Sequence, residues 1–595
     1  MAVTHSRADA ASRIDTAGPP GLVAPALAFL AIGVPALLAF NLPPSATFLN
    51  QATALIGWGG WSIALAATMP ARIGPSFDRS LLALLCAMGL LMVAALASPL
   101  WTGLPVTLSL SSAGMTAAAA AVLLMGSQTQ RHGDHRAVFQ AFCIALVVAG
   151  VLSTAVGFLQ VFAPDGTGGN WIAAASIGGR AAGNLRQPNH LSTLLLWSIV
   201  AAIWLGQAGF SKRPLTIGLS LFLLFGLVLS ASRTGMIGAA MLALWGALDR
   251  RLPRSSRVML WLVPLVYVLF WLAVTGDPGN GHGGFTGDTQ LHKGDISSSR
   301  FAIWSNTLSL IAAHPWFGVG WGEFNFAWSL TPFPDRPVAF FDHTHNLPLQ
   351  FIVELGIPLA TLVLVLLAWA LWGAFKNARD ADDESGHLRA AFVMVAMIVV
   401  HSQLEYPLWY AYFLLPAAFA FGLCLGGAPV REPVAAPPPA GLRKIRPLLI
   451  AAMCLMIGGV YSVLDYWRVV VIFAPPDGAA PLSQRILAGR GSTFFGHHAD
   501  YAAATSVPDP SQVMPAFETA THYLLDTRLM VAWAQALAAH GDLDRARHIA
   551  ARLREFHNPA SDEFFEPCTE PANAASAPPF QCQPPTKRFD YRDFR

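Results

Sequence analysis

The stretch RPLTIGLSLFLLFGLVLSASRTGMIGAAMLALWGALDRRLPRSSRVMLWLVPLVYVLFWLAVTG, residues 213–276, decides the fold. Three apolar runs, near 215–231, 234–248 and 258–275, follow one another with only the SASRTG turn and a basic loop between them. Lipid offers a peptide group no hydrogen-bond partner, so such runs cross a bilayer as helices, which satisfy their backbone internally. Arg233 sits alone in the first turn, whereas Arg250, Arg251, Arg254 and Arg257 crowd the second loop. Basic residues gather in short cytoplasmic loops. The crowded loop is therefore expected inside and the SASRTG turn outside.

The same reading extends over most of the chain. Further spans are expected near 22–42, 51–69, 80–98, 105–126, 138–162, 190–208, 347–373, 389–402, 407–427 and 446–465, for about 13 in all. Every second loop is basic: Arg72 and Arg79, Arg131 and Arg136, Lys212 and Arg213, Lys376 and Arg379 with Arg389, and Arg431 with Arg443, Lys444 and Arg446. Together with Arg7 and Arg13 ahead of the first span, this puts the N-terminus in the cytoplasm and the C-terminal tail outside. The first run lacks a small-residue cleavage site and reads as a signal anchor. Of the 595 residues, 54% are hydrophobic and 12% charged, and the mean hydropathy is +0.49. Soluble domains carry about 25% charged residues, so the composition rules out disorder and argues against a cytosolic enzyme. A scattered net charge of +3 gives no footprint for nucleic acid.

The expected architecture is an all-α polytopic membrane protein. Membrane helices fill 1–275 and 347–465, a large periplasmic loop fills 276–346, and a helical periplasmic tail fills 466–595. The loop starts Gly-rich, with Gly276, Gly279, Gly281, Gly283 and Gly284, and ends in a His cluster. In the tail, TRLMVAWAQALAAHGDLDRARHIAARLREF, 527–556, reads as two amphipathic helices around a turn, similar to one tetratricopeptide unit that must dock on neighbouring tail helices. The Pro- and Ala-rich stretch 429–441 reads as a cytoplasmic linker. Cys86, Cys143, Cys424 and Cys454 lie in spans as small packing residues. An oxidising outer compartment would let Cys568 and Cys582 pair. No His or Cys spacing suggests a metal site, and no cofactor is expected.

Ionisable residues at membrane depth are costly and default to function. By the topology above they gather on the outer face in five places. These are the stretch with Arg180, Asn184, Arg186, Gln187, Asn189 and His190; the SASRTG turn with Arg233; an amphipathic segment beginning at Arg300; the mouth of a span with Asp342, His343, His345, Asn346 and, deeper, Glu354; and a turn with His401, Gln403, Glu405, Tyr406 and Tyr410. Each has a plainer explanation. Arg186 and Arg233 suit lipid headgroups, the two His suit a helix cap, and Glu354 and Glu405 suit interhelical hydrogen bonds. Trp316, Trp321, Trp409 and Tyr410 suit an interfacial aromatic belt. It is the convergence that argues for a site.

Arginine presents a planar donor fork that matches phosphate oxygens and stays charged when desolvated. A neutral His suits removal of a proton from an attacking hydroxyl. The set describes displacement at an anomeric carbon, with a lipid diphosphate leaving into the grip of arginine. None of these five stretches carries a clustered Asp pair of the D-x-D kind, which metal-dependent transferases use, and direct displacement would invert the anomeric centre.

The blocks GNLRQPNHLSTLLLW (183–197), SASRTG (230–235), RFAIWSNTLSLIAAHPWFGVGWGEF (300–324), HTHNLPLQFIVELGIPLA (343–360) and EYPLWYAYFLLP (405–416) resemble the bacterial O-antigen ligase and polymerase superfamily. The first and last blocks resemble more narrowly its pilin-type protein O-oligosaccharyltransferases. The resemblance implies a multi-pass inner-membrane enzyme that moves a glycan from undecaprenyl diphosphate to Ser or Thr of a periplasmic or pilin protein. It maps an acceptor-side catalytic role onto His345, and a donor diphosphate-binding role onto Arg233, with Arg186 as the second phosphate contact. His343 and Glu405 join the catalytic candidates and Arg300 the donor candidates. Gln187, Asn189, His190, Asn346 and Tyr406 are expected to position substrate. Two rivals remain at this point: a ligase or polymerase acting on lipid A core or glycan, and a transporter or flippase with arginines along its path.

Overall fold

The computed structural model describes residues 23–69, 78–132, 134–176, 178–275, 295–334, 336–337, 340–380, 386–427, 446–507, 509–569 and 578–595. Arg7, Arg13, Arg72, Arg431, Arg443, Lys444, the five loop glycines from Gly276 to Gly284 and the stretch 429–441 fall outside them. The first nine helices are α1 (Val23–Leu37), α2 (Phe48–Thr68), α3 (Arg79–Ala97), α4 (Val106–His132), α5 (His135–Phe162), α6 (Pro188–Gln207), α7 (Arg213–Leu229), α8 (Arg233–Leu248) and α9 (Arg254–Thr275). The loop region holds α10 (Asp295–Ala313) and α11 (Phe324–Leu330). Apolar helices return with α12 (Leu347–Asp380), α13 (His387–His401), α14 (Ala411–Leu425) and α15 (Pro447–Phe473). The tail contributes α16 (Leu482–Arg490), α17 (Gly496–Ser506), α18 (Met514–Ala520), α19 (Thr527–Ala539) and α20 (Leu543–Glu555).

The chain is thus a polytopic helical protein, with seven helices among the described residues long and apolar enough to cross a membrane by length and composition. Five apolar helices, α1, α7, α8, α13 and α14, have only 15 to 17 residues, short of the roughly 20 that a bilayer asks. At the centre lies α6, whose sides are almost wholly buried. Small polar side chains tie it to its neighbours, as helices do where lipid supplies no hydrophobic drive. Ser198 Oγ donates to the Leu146 carbonyl at 2.7 Å, Trp197 Nε1 donates to Met394 at 3.0 Å, and Thr193 Oγ1 sits 2.7 Å from His401 Nδ1.

Two expectations need correction. Asp465 marks the end of the last span by sequence, yet α15 runs on to Phe473. The tail supplies the reason: Asp465 accepts hydrogen bonds from Ser492 Oγ and from the N–H groups of Thr493 and Phe494, at 2.7 to 3.0 Å. A buried carboxylate with three donors no longer interrupts an apolar helix. The helices α19 and α20 form the paired hairpin at 527–556, started by Asp526 and Asp542 as N-caps. They bury their faces on the loop as well as on the tail, because Leu529, Trp533 and Leu553 share one core with Phe324, Phe326 and Trp328 of α11. Cys568 and Cys582 form a disulfide in that tail.

The glycine-rich part of the third sequence block turns out to be architectural. The helix α12 breaks at Gly356, where φ is 76°. The break frees the carbonyls of Val353 and Glu354, and the N–H groups of Val319 and Gly320 donate to them at 2.8 and 3.0 Å. A Cβ at Gly356 would stand 2.3 Å from the Trp316 carbonyl oxygen, and the backbone conformation itself disfavours any other residue. Gly356→Ala is therefore expected to destabilise the protein by at least about 2 kcal/mol. A lowered melting midpoint in detergent would register it, and a parental midpoint would contradict this account of the kink.

Candidate functional site

Gln160, inside α5, organises the first block although no sequence signal marked it. Its Oε1 accepts from Ala182 and Gly183 N–H at 2.9 and 2.8 Å, and its Nε2 donates to the Ala173 and Gly183 carbonyls at 2.9 and 3.1 Å. The loop so folded ends at Arg186 in a left-handed conformation, and Gln187 then caps α6 by accepting the N–H of His190 at 2.7 Å. This sets Asn189, in the first turn of α6, at the centre of the site.

Asn189 bridges two blocks. Its Oδ1 accepts from Ser232 Oγ at 2.6 Å, and its Nδ2 donates to Glu405 Oε1 at 2.9 Å. Ser232 is the N-cap of α8, so Arg233 is the first residue of that helix. Glu405 gathers the rest. Arg300 Nη2 donates to its Oε1 at 2.6 Å, and His345 Nδ1 lies 2.9 Å from its Oε2. Five residues from five separate segments, Asn189, Ser232, Arg300, His345 and Glu405, thereby form one hydrogen-bonded group. The Glu405 side chain is 8% exposed. Burial alone would push its pKa up, but the bond from His345 and the nearby charges of His345 and Arg300 outweigh it and bring the carboxyl down to about 2.

His345 is held in place from both sides. Its φ of 56° is unusual for a non-glycine residue. Thr344 N–H donates to Gln350 Oε1 at 2.8 Å, and Trp304 Nε1 donates to the Thr344 carbonyl at 3.0 Å. On the other side Asn346 Nδ2 donates to the Gln403 carbonyl at 3.1 Å, and Asn346 Oδ1 accepts the Leu349 N–H at 3.0 Å. With Nδ1 on Glu405, Nε2 has no partner among the described residues. Beside it, Tyr406 meets the His345 ring edge-on at 5.0 Å and stacks on His343 at 4.4 Å. Asp342 Oδ1 lies 3.0 Å from His343 Nδ1. Burial works against a charge on that ring, but the Asp342 carboxylate prevails and raises its pKa.

The other expected residues divide. Arg300, a donor candidate by sequence, is ion-paired with Glu405, which lies within its reach. Arg186 was expected as the second phosphate contact, yet its guanidinium is turned to backbone, donating to the carbonyls of Ala39 and Asn184. Burial lowers its pKa. Gln187 and Asn346 work as backbone fasteners for their turns. His190 belongs to the core below the site: it is 4% exposed and lies edge-on against Tyr410 and Phe413 at 4.6 and 5.2 Å. Glu354 is likewise internal, accepting from Gln350 Nε2 at 3.0 Å. Arg233 makes no hydrogen bond or ion pair among the described residues and stands one residue from the group. Arranged so, the site offers a base with a fixed carboxylate behind it and a free cation at its edge.

Comparison with known proteins converges on the same segments. Residues 218–364 match a family model described as O-antigen ligase, residues 389–566 one described as virulence factor membrane-bound polymerase, C-terminal, and residues 181–205 one described as protein glycosylation ligase. The three stretches contain all five residues of the Glu405 group. Among curated relatives, a general O-oligosaccharyltransferase of Acinetobacter baylyi is 28% identical over 255 residues, 41% of this chain and 44% of the relative. A ComP-specific O-oligosaccharyltransferase of the same organism is 26% identical over 314 residues, 50% of this chain and 53% of the relative. The chain spans about half the length of the curated relatives it matches. On these matches the chain is similar, over parts of its length, to O-antigen ligases and to protein O-oligosaccharyltransferases.

Proposed function

We propose that this chain is an O-linked oligosaccharyltransferase of the bacterial inner membrane. It moves a preassembled glycan from undecaprenyl diphosphate to a Ser or Thr hydroxyl of a periplasmic or pilin protein. The observation that carries the reading is the contact of His345 Nδ1 with Glu405 Oε2 at 2.9 Å, with Arg233 next to the same hydrogen-bonded group. Together they supply a base for the acceptor and a cation for the donor. The proposed topology has about thirteen spans, a cytoplasmic N-terminus, and the site and tetratricopeptide-like tail in the periplasm.

In the proposed reaction the acceptor oxygen attacks the anomeric carbon, and the bond from that carbon to the diphosphate oxygen breaks. The electron pair leaves with the diphosphate, and the hydroxyl proton passes to His345 Nε2 as the new bond forms. Glu405 holds the ring's orientation and steadies the imidazolium that results. Direct displacement inverts the anomeric centre. A second reading, favoured by the ligase and polymerase family matches, keeps this chemistry with lipid A core or a growing glycan as acceptor. Glycoproteomics and lipopolysaccharide analysis of a host with and without the gene separate the two.

His345→Ala is expected to lower glycan transfer to periplasmic protein by about 10²- to 10⁴-fold, the usual range for general-base help. Near-parental transfer in well-expressed protein would remove His345 from the mechanism. Glu405→Gln breaks a buried pair and leaves Arg300 uncompensated, at a cost of about 3–5 kcal/mol. Glu405 sits near 2 when folded against an ordinary 4.5, so its contribution is complete above pH 4.5 and fades as the pH falls towards 2. The gap in melting midpoint between parent and Glu405→Gln should narrow over that window. A gap that widens on acidification would contradict an ionised Glu405.

A further inference from the structure

The helix α10 has two edges with different surroundings. Along one, Ile303, Thr307 and Leu310 are buried. From that side Arg300 reaches Glu405 at 2.6 Å, and Trp304 donates to the Thr344 carbonyl at 3.0 Å, next to His345. Along the other, Phe301, Ser305, Leu308 and Ala312 follow one another at helical spacing, and all four are exposed. Beside them the Ser309 hydroxyl is turned to the helix backbone, donating to the Ser305 carbonyl at 3.2 Å. The stripe leads on to Trp316 and Phe317, which are 71% and 78% exposed. Their turn is pinned to the kink of α12, where Ile357 N–H donates to the Pro315 carbonyl at 2.7 Å. Ile357, Leu362, Val365 and Trp369 are exposed along α12, one of the helices long and apolar enough to cross a membrane. A single apolar surface thus extends from a spanning helix onto α10. Leu100 and Trp101, exposed just past α3, lie on a turn held to the same segment by the bond from Ser98 Oγ to the Trp321 carbonyl at 2.8 Å. Residues 301–322 contain no Asp, Glu, Lys or Arg, whereas the tail helix α20 carries six such side chains in 13 residues. A helix facing water keeps a charged face, and a continuous exposed apolar surface without one marks a partner or a membrane.

We propose that α10 lies along the outer surface of the bilayer, with Phe301, Leu308, Ala312, Trp316 and Phe317 seated among the headgroups and upper acyl chains of phospholipid. Lipid is the occupant, in place of a second copy of this chain or another protein, because the stripe continues the apolar surface of α12 without a charged residue between them. Tryptophan and other aromatic rings favour that depth, and an apolar helix edge binds there in proportion to the area it buries. Sequence reading placed this segment in a periplasmic loop. The proposal makes it an in-plane element with one edge in lipid, while the other edge holds the Arg300–Glu405 pair and the turn of His345. The depth of His345 is then fixed by the membrane surface as well as by the bundle. The seat does not rest on the transferase reading, since it follows from the surface of α10 alone.

The test uses the full chain in nanodiscs of phosphatidylethanolamine and phosphatidylglycerol, and again in native inner membranes. The photo-crosslinking residue p-benzoylphenylalanine is placed at Phe301, Leu308 or Phe317, one position at a time. Leu362, exposed on α12, serves as the lipid-facing reference, and Leu543, exposed at the start of α20, as the water-facing one. After irradiation, mass spectrometry should find phospholipid adducts at Phe301, Leu308 and Phe317 as at Leu362, in yields above that at Leu543. A yield at Phe301 or Leu308 no higher than at Leu543 overturns the proposal, even if Phe317 alone captures lipid. Crosslinks from Phe301 or Leu308 to a second copy of the chain or to another protein, in place of lipid, overturn it as well. Each variant is scored only if it keeps the parental melting midpoint. Ser305, on the same stripe, carries the crosslinker in place of any that does not, under the same criterion. Lipid adducts from a chain that transfers no glycan would sink the transferase reading and leave the seat standing. Glycan transfer without those adducts would do the reverse.

Discussion

A single carboxylate, Glu405, sets the terms for everything around it. It is buried, and burial of a charge is unfavourable unless opposite charge and hydrogen bonds surround it. Here the surroundings come from far apart in the chain. Arg300 and His345 supply charge or potential charge, and Asn189 supplies an amide that is itself fixed by Ser232. Removing any one of these leaves the others facing an unsatisfied group in a poorly hydrated place. The interaction both ties distant segments together and fixes the His345 ring, because the contact that holds it in position also determines which of its nitrogens is left without a partner among the described residues.

The site is built at the expense of helix length. All five short apolar helices have one end at or beside it. Past α1, the carbonyl of Ala39 takes the Arg186 guanidinium, and α7 and α8 meet at the Ser232 turn. The helix α13 finishes at His401, and α14 starts just after Glu405 and Tyr406. Where helices stop early, backbone groups lose their internal partners, which is tolerable only inside protein or beside a cavity. Side chains such as Gln160, Gln187 and Asn346 take over those partners. Three of the four non-glycine residues with positive φ among the described residues, Arg186, Ala231 and His345, lie in these same turns. Strained conformations gather where surrounding contacts over-determine the chain, and functional sites are where such strain recurs.

This explains how much the sequence discloses. Apolar runs report helices directly, and each of the thirteen expected segments, down to the weak ones at 234–248 and 389–402, contains a helix. Polar residues at the ends of such runs report a site, because lipid makes them costly. What sequence cannot separate is the role of each. Arg186 and Arg180 stand six positions apart in one loop and look alike. Only folding shows that one is spent on carbonyls and the other is not. His190 beside Asn189 looks like part of the same motif, yet the helical turn sends one ring into the core and the other side chain to Glu405. The ending of α15 misleads for the opposite reason: the partners that neutralise Asp465 come from a distant tail segment.

The tail has a definite mechanical part in this arrangement. Its helices do not close a core of their own but complete one with α11 and the segment leading to His345. Glu323, fully buried, is 2.8 Å from His522 of the tail, whose ring stacks on Phe326 at 4.1 Å. Arg336 is sandwiched among Trp328, Phe333 and the tail's Phe556, with Glu555 at 3.2 Å. Phe340 stacks on Phe556 at 3.8 Å, and its neighbour Phe341 meets the His345 ring edge-on at 5.4 Å. A continuous run of packed rings therefore connects the tail to the imidazole. Packed interiors transmit displacement because they have little free volume, so the position of His345 is set from two directions, by Glu405 in the helical bundle and by the tail across the aromatic run.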